Sequence, residues 1–168
     1  MSFNGMIEPA LDAGMELALA RVAAPDVVFG LLAGLKRVRF CIEDLTGYAA
    51  LGLFDSALRD RLLLRGLRAA RMGECECPAP LPLPGAGAAL AETMLVSAVD
   101  GCLIYAAEDD DLGSVLMIGL ILLDRIVEVL GAAPRPDELM DRLRAGDEQG
   151  DIESDAGRQP EFADVSVH

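Results

Sequence analysis

Two carboxylates inside the most apolar stretch of the sequence are the residues whose setting best suits chemistry. Between residues 85 and 107 only Glu92 and Asp100 are charged. A helix this apolar is typical of a buried position, and a buried carboxylate must be paired, neutralised or used. Burial also raises the pKa of a carboxylic acid, which can then act as a general acid or base. We therefore expect Asp100 and Glu92 to be candidate catalytic groups.

A third candidate, Asp124, lies on the apolar segment that follows. Helical spacing places Thr93, Ser97 and Asp100 on one face of the first segment. If that face meets the second segment, Ser97, Asp100 and Asp124 line a polar patch within an apolar bundle, and Thr93 and Ser97 bind the ligand. The alternative is that Asp100 pairs with an arginine and that Asp124 belongs to the solvated end of its helix.

Two further groups of charged residues are candidates for ligand binding. Glu43 and Asp44 are adjacent in the middle of a predicted helix, where Arg39 is placed to pair with Glu43 at i,i+4. Three arginines share one face of the third predicted helix, at Arg61, Arg65 and Arg68. Arginines in such a row can hold an anion through bidentate contacts. In an acidic chain they can also meet the carboxylates of Glu43, Asp44 or the C-terminal segment.

The sequence supports neither a resident cofactor nor a metal site. His168 is the single histidine, which excludes the carboxylate–histidine sites of helical bundles. Cys75 and Cys77 form one close pair, whereas a structural zinc site needs two; a redox or metal role for this pair stays open. The acidic run at 108–111 is better placed to stabilise the start of the next helix than to bind a hard cation. Phosphate-binding and dinucleotide-binding glycine motifs are absent from the sequence.

The elements that position these residues are predicted to be helices. Aromatic residues make up only 4% of the chain and Trp is absent, so the core is built from aliphatic side chains, which suit helix packing. The clearest periodicity runs in steps of three and four residues through Val28, Leu31, Leu35, Val38, Ile42, Leu45 and Ala49. This helix starts near Pro25 and stops at Gly47 or after Leu51. Further helices are predicted over residues 9–23, 55–72, 88–107, 112–130 and 136–145.

The predicted fold is an all-α bundle of five or six helices in one domain, residues 1–146, with a central apolar hairpin at about 88–130. Residues 73–88 contain four prolines at alternating positions, which favour an extended strap that is either a crossover or a mobile covering loop. Residues 147–168 hold seven acids and one base, and we predict a disordered acidic tail.

Charge and cysteine content indicate which binding partners and which cellular location to expect. The net charge of −14 argues against nucleic acid, whose binding depends on phosphate neutralisation. The N-terminal residues do not resemble a secretory signal, so four cysteines indicate reduced thiols in the cytoplasm. Charges interrupt both apolar segments before about 20 residues, so we expect no membrane insertion. One lysine against thirteen arginines is typical of a GC-rich, actinomycete-like genome.

Two functions fit these observations. The first is a helical protein that binds an apolar or anionic small molecule in a bundle pocket. It would act as a cofactor-independent isomerase or cyclase, with Asp100, Glu92 and Asp124 as acid–base groups and the strap as a lid. The second is a non-catalytic interaction or regulatory protein, a homodimer associating through the apolar stripe at 28–49. An Asp100→Asn variant separates them, because only the first function loses activity.

Overall fold

The computed structural model describes residues 4–74, 77–108 and 112–145, and over these residues the chain is an all-α bundle. Six helices follow one another: α1 Asn4–Leu19, α2 Ala24–Thr46, α3 Tyr48–Arg71, α4 Ala88–Glu108, α5 Leu112–Leu130 and α6 at 136–145. The predicted fold class is confirmed. The predicted tail at 147–168, the acidic residues 109–111 and Cys75 lie outside the described residues.

The central helix of the bundle is α2. Its predicted apolar stripe is fully buried from Val28 to Ile42, and it packs most extensively against α4 and α5 while also contacting α1 and α3. The apolar side chains of four other helices therefore close over this stripe. The expectation that the stripe provides a homodimer face is wrong, since its side chains are already buried inside one copy.

The break between α2 and α3 falls at Gly47. This residue has φ +83°, and its N–H donates a 2.8 Å hydrogen bond to the carbonyl of Glu43. Glycine is favoured where a helix ends in a residue with positive φ, because other residues meet a steric penalty from Cβ. Of the two predicted stops, Gly47 is the right one. As a result α3 begins at Tyr48, one to two turns before the predicted start near Asp55.

The close approach of α2 and α4 depends on Gly30. A Cβ added at this position would lie 2.5 Å from the carbonyl oxygen of Ala91 and 2.5 Å from Cδ1 of Leu95. With hydrogen in place of a side chain, the backbones of the two helices meet directly. Because this contact sets the rotation of α4 about its own axis, it determines which sides of α4 pack against α1 and α5 and which side faces solvent.

The described part of the strap, residues 77–87, is fixed to the bundle at both ends. The N–H of Leu81 donates to Glu138 on α6 at 3.2 Å, and the N–H groups of Gly85 and Gly87 donate to the two carboxylate oxygens of Asp26 at 2.8 and 3.1 Å. Of the two predicted alternatives, these contacts favour the crossover. Asp26 is itself buried at the start of α2, so the strap returns the chain to the central helix.

Candidate functional site

Asp100 on α4 forms a surface salt bridge. Nε and Nη2 of Arg37 on α2 donate to its two carboxylate oxygens at 2.9 and 3.0 Å, and the Asp100 side chain is 34% exposed. This hydrogen bond and the charge of Asp100 raise the pKa of Arg37. The expectation that Asp100 is shielded from water is wrong, because its side of α4 lies at the edge of the α2–α4 contact. Its catalytic role stays a prediction, without the burial that motivated it.

Asp124 on α5 has the same kind of partner. Arg61 on α3 donates to both of its carboxylate oxygens at 2.8 and 2.6 Å, and this hydrogen bond raises the pKa of Arg61. Asp124 therefore lies between α3 and α5, whereas Asp100 lies between α2 and α4 and Ser97 lines a groove between α1 and α4. The three residues do not form one polar patch. Each residue lies between a different pair of helices, so each belongs to a separate surface.

The two candidates near the start of α4 are exposed. The hydroxyl of Thr93 donates to the carbonyl of Ala89, one turn back on its own helix, at 3.1 Å. Glu92 was expected to be buried, but Ala91 lies in the core and Glu92 is exposed. Ala91 and Glu92 lie three and four residues after Ala88, so both positions fit the helical spacing of the buried side of α4. Spacing alone therefore did not show which of the two is buried.

The Glu43–Asp44 pair does not form the predicted ion pair with Arg39. Arg39 is buried and donates to the two carboxylate oxygens of Asp55 on α3 at 2.9 and 3.1 Å. Asp44 is exposed and lines a shallow concavity that also contains Asp100. The i,i+4 expectation was wrong because the turn at Gly47 brings α3 back beside α2 and offers Arg39 a better shielded partner.

The three predicted arginines do share one surface. Arg61, Arg65 and Arg68 line a concavity of about 320 Å³ between α3 and α5, whose floor includes Leu123 and Val127. Arg61 is held by Asp124, which lies in the same concavity. The row on α3 is therefore partly neutralised at Arg61.

A groove of about 420 Å³ runs between α1 and α4, and sequence reasoning missed it. Its lining is Met6, Ile7, Ala10, Ser97, Ala98, Gly101, Cys102 and Tyr105. Ser97 is the one residue of the predicted site that it contains, and its lining includes no Asp, Glu, His, Lys or Arg. Burial raises the pKa of the Cys102 thiol, which keeps this thiol protonated at neutral pH.

The groove is part of a longer uncharged surface, which we call the α1/α4 face. Its members follow helical spacing on the two helices: Met6, Ala10, Ala13 and Leu17 of α1 with Leu90, Met94, Ser97, Gly101, Ile104 and Tyr105 of α4. The larger side chains stay well exposed, for example Leu17 at 60% and Tyr105 at 63%. On α4 the row spans about 22 Å at the rise of an α-helix. The sequence did contain an indication of this face. Both helices are apolar on two sides, and only one side of each can pack into the core.

The face explains an unusual property of α4. By length and composition α4 is apolar enough to cross a membrane, yet only 33% of its most apolar window is buried in the bundle. The expectation that so apolar a helix is fully buried is wrong. A row of its side chains including Leu95, Val99 and Cys102 packs into the core, and the opposite row forms the α1/α4 face.

Metal ligands and related proteins give no further indication of the function. Within the ranges that the structure describes, no group of three or more His, Cys, Asp or Glu side chains is arranged to hold a metal ion. Cys77 is exposed and free, and its predicted companion Cys75 lies outside those ranges. No protein-family model matches the chain, and neither the curated proteins nor the solved structures contain a significant match. The fold and site together define an all-α bundle with an uncharged helical face.

Proposed function

We propose that this protein is a non-catalytic interaction protein that associates with a second copy of itself through the α1/α4 face. The observation that carries the proposal is the exposure of this face, where Leu17, Ile104 and Tyr105 are 60%, 58% and 63% exposed. Exposed contiguous apolar surface on this scale is typical of an interaction site. Tyr105 and Met6 provide large side chains of the kind that dominate binding energy at interface centres.

A second copy suits the face on grounds of charge. Each copy has a net charge of −14, so most pairs of surfaces from two copies repel one another. The α1/α4 face contains no charged side chain, so two such faces can meet without burying an unpaired carboxylate. A two-fold axis pairs a face with itself, so apolar surface meets apolar surface. Small residues at Ala10, Ala13, Ser97 and Gly101 let the helices of the two copies approach closely.

The size of the face sets the expected strength. A patch about 22 Å long and two helices wide covers roughly 400 Å² per copy, or roughly 800 Å² in total, which is the size of a weak, transient interface and below that of a stable dimer. At one edge of the patch Ile104 borders a concavity that contains Arg37, Asp44 and Asp100, so the uncharged surface ends there. We therefore expect a reversible dimer with a dissociation constant on the order of micromolar.

The test is sedimentation velocity of the full chain over a concentration series from about 1 to 200 µM. Ser97→Glu places a carboxylate at the centre of the face and is expected to weaken dimerisation at least tenfold. Ser56→Glu is the matched control, because it makes the same change at an exposed helical serine of α3 outside the face. A wild-type protein that stays at 17.8 kDa throughout the series, or a Ser97→Glu variant that dimerises as well as Ser56→Glu, contradicts the proposal.

A second function is favoured by the groove itself. A volume of about 420 Å³ with an apolar lining is within the range of small-molecule sites, so an apolar ligand is the alternative occupant. Catalysis there has less support, because Asp100 and Asp124 are paired with arginines on other surfaces and Glu92 faces outward from another side of α4. Native mass spectrometry of the purified protein separates the two: a mass of twice the chain supports the dimer, and a monomer carrying extra mass supports the ligand. Reduced thiols at Cys41, Cys77 and Cys102 make the cytoplasm the location we propose.

A further inference from the structure

The last turns of α3 project from the bundle without cover. Leu62 is the last buried residue of this helix, and from residue 63 to Arg71 no side chain is buried. We call this segment, with Arg61 and Met72, the basic end of α3. Its leucines are more than half exposed, at Leu63, Leu64 and Leu67, and Met72 is 76% exposed. This apolar surface is separate from the α1/α4 face, which lies on other helices.

The arginines and the leucines of the basic end lie on adjoining sides of α3. From residue 59 to 71 the helix holds five arginines and one acid, a charge of +4 in a chain of −14. Asp137 and Asp124 neutralise Arg59 and Arg61. Among the residues that the structure describes, no carboxylate pairs with Arg68 or Arg71. The basic end therefore offers positive charge and exposed apolar side chains to the same partner.

The chain itself contains a segment of complementary composition. Residues 147–168 carry seven acids and one base, a charge of −6, and among these acids stand Ile152, Phe162, Val165 and Val167. The segment therefore offers carboxylates for the arginines and apolar side chains for the leucines. The concavity between α3 and α5 provides both kinds of contact, since Arg65 and Arg68 line it together with Leu64 and Val127.

Helix α6, which precedes this segment in the chain, packs beside α3. Asp137 near its start pairs with Arg59 at 3.3 Å, and Arg144 near its end lies 3.6 Å from Asp55. The described chain thus ends at 145 close to the first half of α3, and Arg68 is about 20 Å away along the helix axis. Twenty-two residues reach up to about 70 Å when extended, so the basic end is well within range.

We infer that residues 147–168 dock on the basic end of α3, with carboxylates on Arg68 and Arg71 and apolar side chains on Leu64 and Leu67. A tethered segment acts at an effective concentration on the order of millimolar, so individually weak ion pairs are enough. The same tether favours this occupant over an anionic membrane or a nucleic acid, both of which the net charge of the chain repels. The docked segment covers a strongly basic surface of an acidic protein.

Hydrogen exchange of the full chain tests this contact. An uncovered helix end exchanges quickly, and docking slows exchange at residues 63–71. We compare the wild type with a variant whose seven acids after residue 146 are changed to Asn or Gln, and with Arg68→Gln/Arg71→Gln. Both variants are expected to exchange roughly fivefold faster than the wild type at residues 63–71. Raising the salt from about 50 to 500 mM should bring the wild type to the rate of the variants.

Two controls keep the result specific. Arg21→Gln removes an exposed arginine at the end of α1 and should leave exchange at residues 63–71 unchanged. Exchange within α5 should also stay the same in every variant, which shows that the bundle is intact. Equal exchange at residues 63–71 in the wild type and in the acid-neutralised variant overturns the inference. So does binding of the wild type, dependent on Arg68 and Arg71, to vesicles with about 30% anionic lipid, because the surface would then be open.

Discussion

Arg39 and Asp55 form a shielded bidentate salt bridge, and two residues away along α2 Arg37 and Asp100 form the same contact at the surface. The side chains of the first pair are 7% and 12% exposed, and those of the second pair are 51% and 34% exposed. Arg39 also donates to the carbonyl of Leu143, so the shielded pair joins α2, α3 and α6. The two pairs share the same bidentate geometry, but the shielded pair has these further partners and much less contact with water.

The two pairs should respond very differently to loss of the carboxylate. Asp55→Ala leaves a buried guanidinium without its partner, and we expect it to lower the free energy of unfolding by about 3–5 kcal/mol. Asp100→Ala removes a solvated pair and should cost at most about 1 kcal/mol. Urea unfolding of the two variants measures both values. A loss for Asp100→Ala as large as that for Asp55→Ala would show that the exposed pair is also essential to the bundle.

Gly101 provides a test of the α1/α4 face by a single methyl group. A Cβ added at Gly101 meets no atom within 4 Å in one copy, and the same holds at Gly52 on α3. Changing either glycine to alanine should stabilise its helix by about 0.5–1 kcal/mol, which thermal unfolding at low protein concentration will show. Only Gly101→Ala should also change the dissociation constant of the dimer, because the methyl group then stands between two copies. Identical constants for the two variants would place Gly101 outside the contact.

The buried thiols predict a loss of stability at alkaline pH. Burial raises the pKa of Cys102, and burial together with the negative charge of Asp44 raises the pKa of Cys41. In the unfolded chain these thiols lose their protons at their ordinary pKa, while the folded chain keeps them. The free energy of unfolding should therefore fall as the pH rises from the ordinary thiol pKa through the raised values. Urea unfolding at about pH 8 and 10 of the wild type and of Cys41→Ala/Cys102→Ala measures the difference, and a slope that survives the double variant assigns the effect to other groups.

Asp26 should hold the strap against the start of α2. Asp26→Ala removes the acceptor of two N–H groups, those of Gly85 and Gly87, and we expect a loss of about 2 kcal/mol in the free energy of unfolding. Hydrogen exchange at these two amides should rise sharply while exchange in α2 stays slow. Asp12→Ala, which removes a more exposed partner of Arg125, should leave both amides protected. Unchanged exchange in Asp26→Ala would mean that packing alone holds the strap.

The sequence was sufficient for the elements whose boundaries depend on local chemistry. The apolar run of α5 and the glycine after it predict Leu112–Leu130, and the structure has the same bounds. The stripe on α2 is buried as its periodicity indicates. In both cases the signal is carried by neighbours in sequence, so the helical period is enough to find it.

The properties that depend on neighbours in space were not predictable. Arg39 finds Asp55 only because the chain reverses at Gly47, and Asp26 binds the strap across more than fifty residues. For Asp100, the sequence shows an apolar helix but cannot show which of its sides faces solvent. The α1/α4 face was missed for the same reason, since a second apolar row on a helix has the same pattern whether it is covered or not.

The central place of α2 has a consequence for synthesis of the protein. The helices α4 and α5 cover the buried stripe of α2, but the ribosome adds them only after the first 87 residues are complete. At about 5–20 residues per second, the wait from the end of α2 to the end of α5 is several seconds. During that interval the stripe of α2 lacks the contacts that α4 and α5 make with it in the finished bundle. We expect newly made chains to depend on a holding chaperone in this window, and the finished protein to need none.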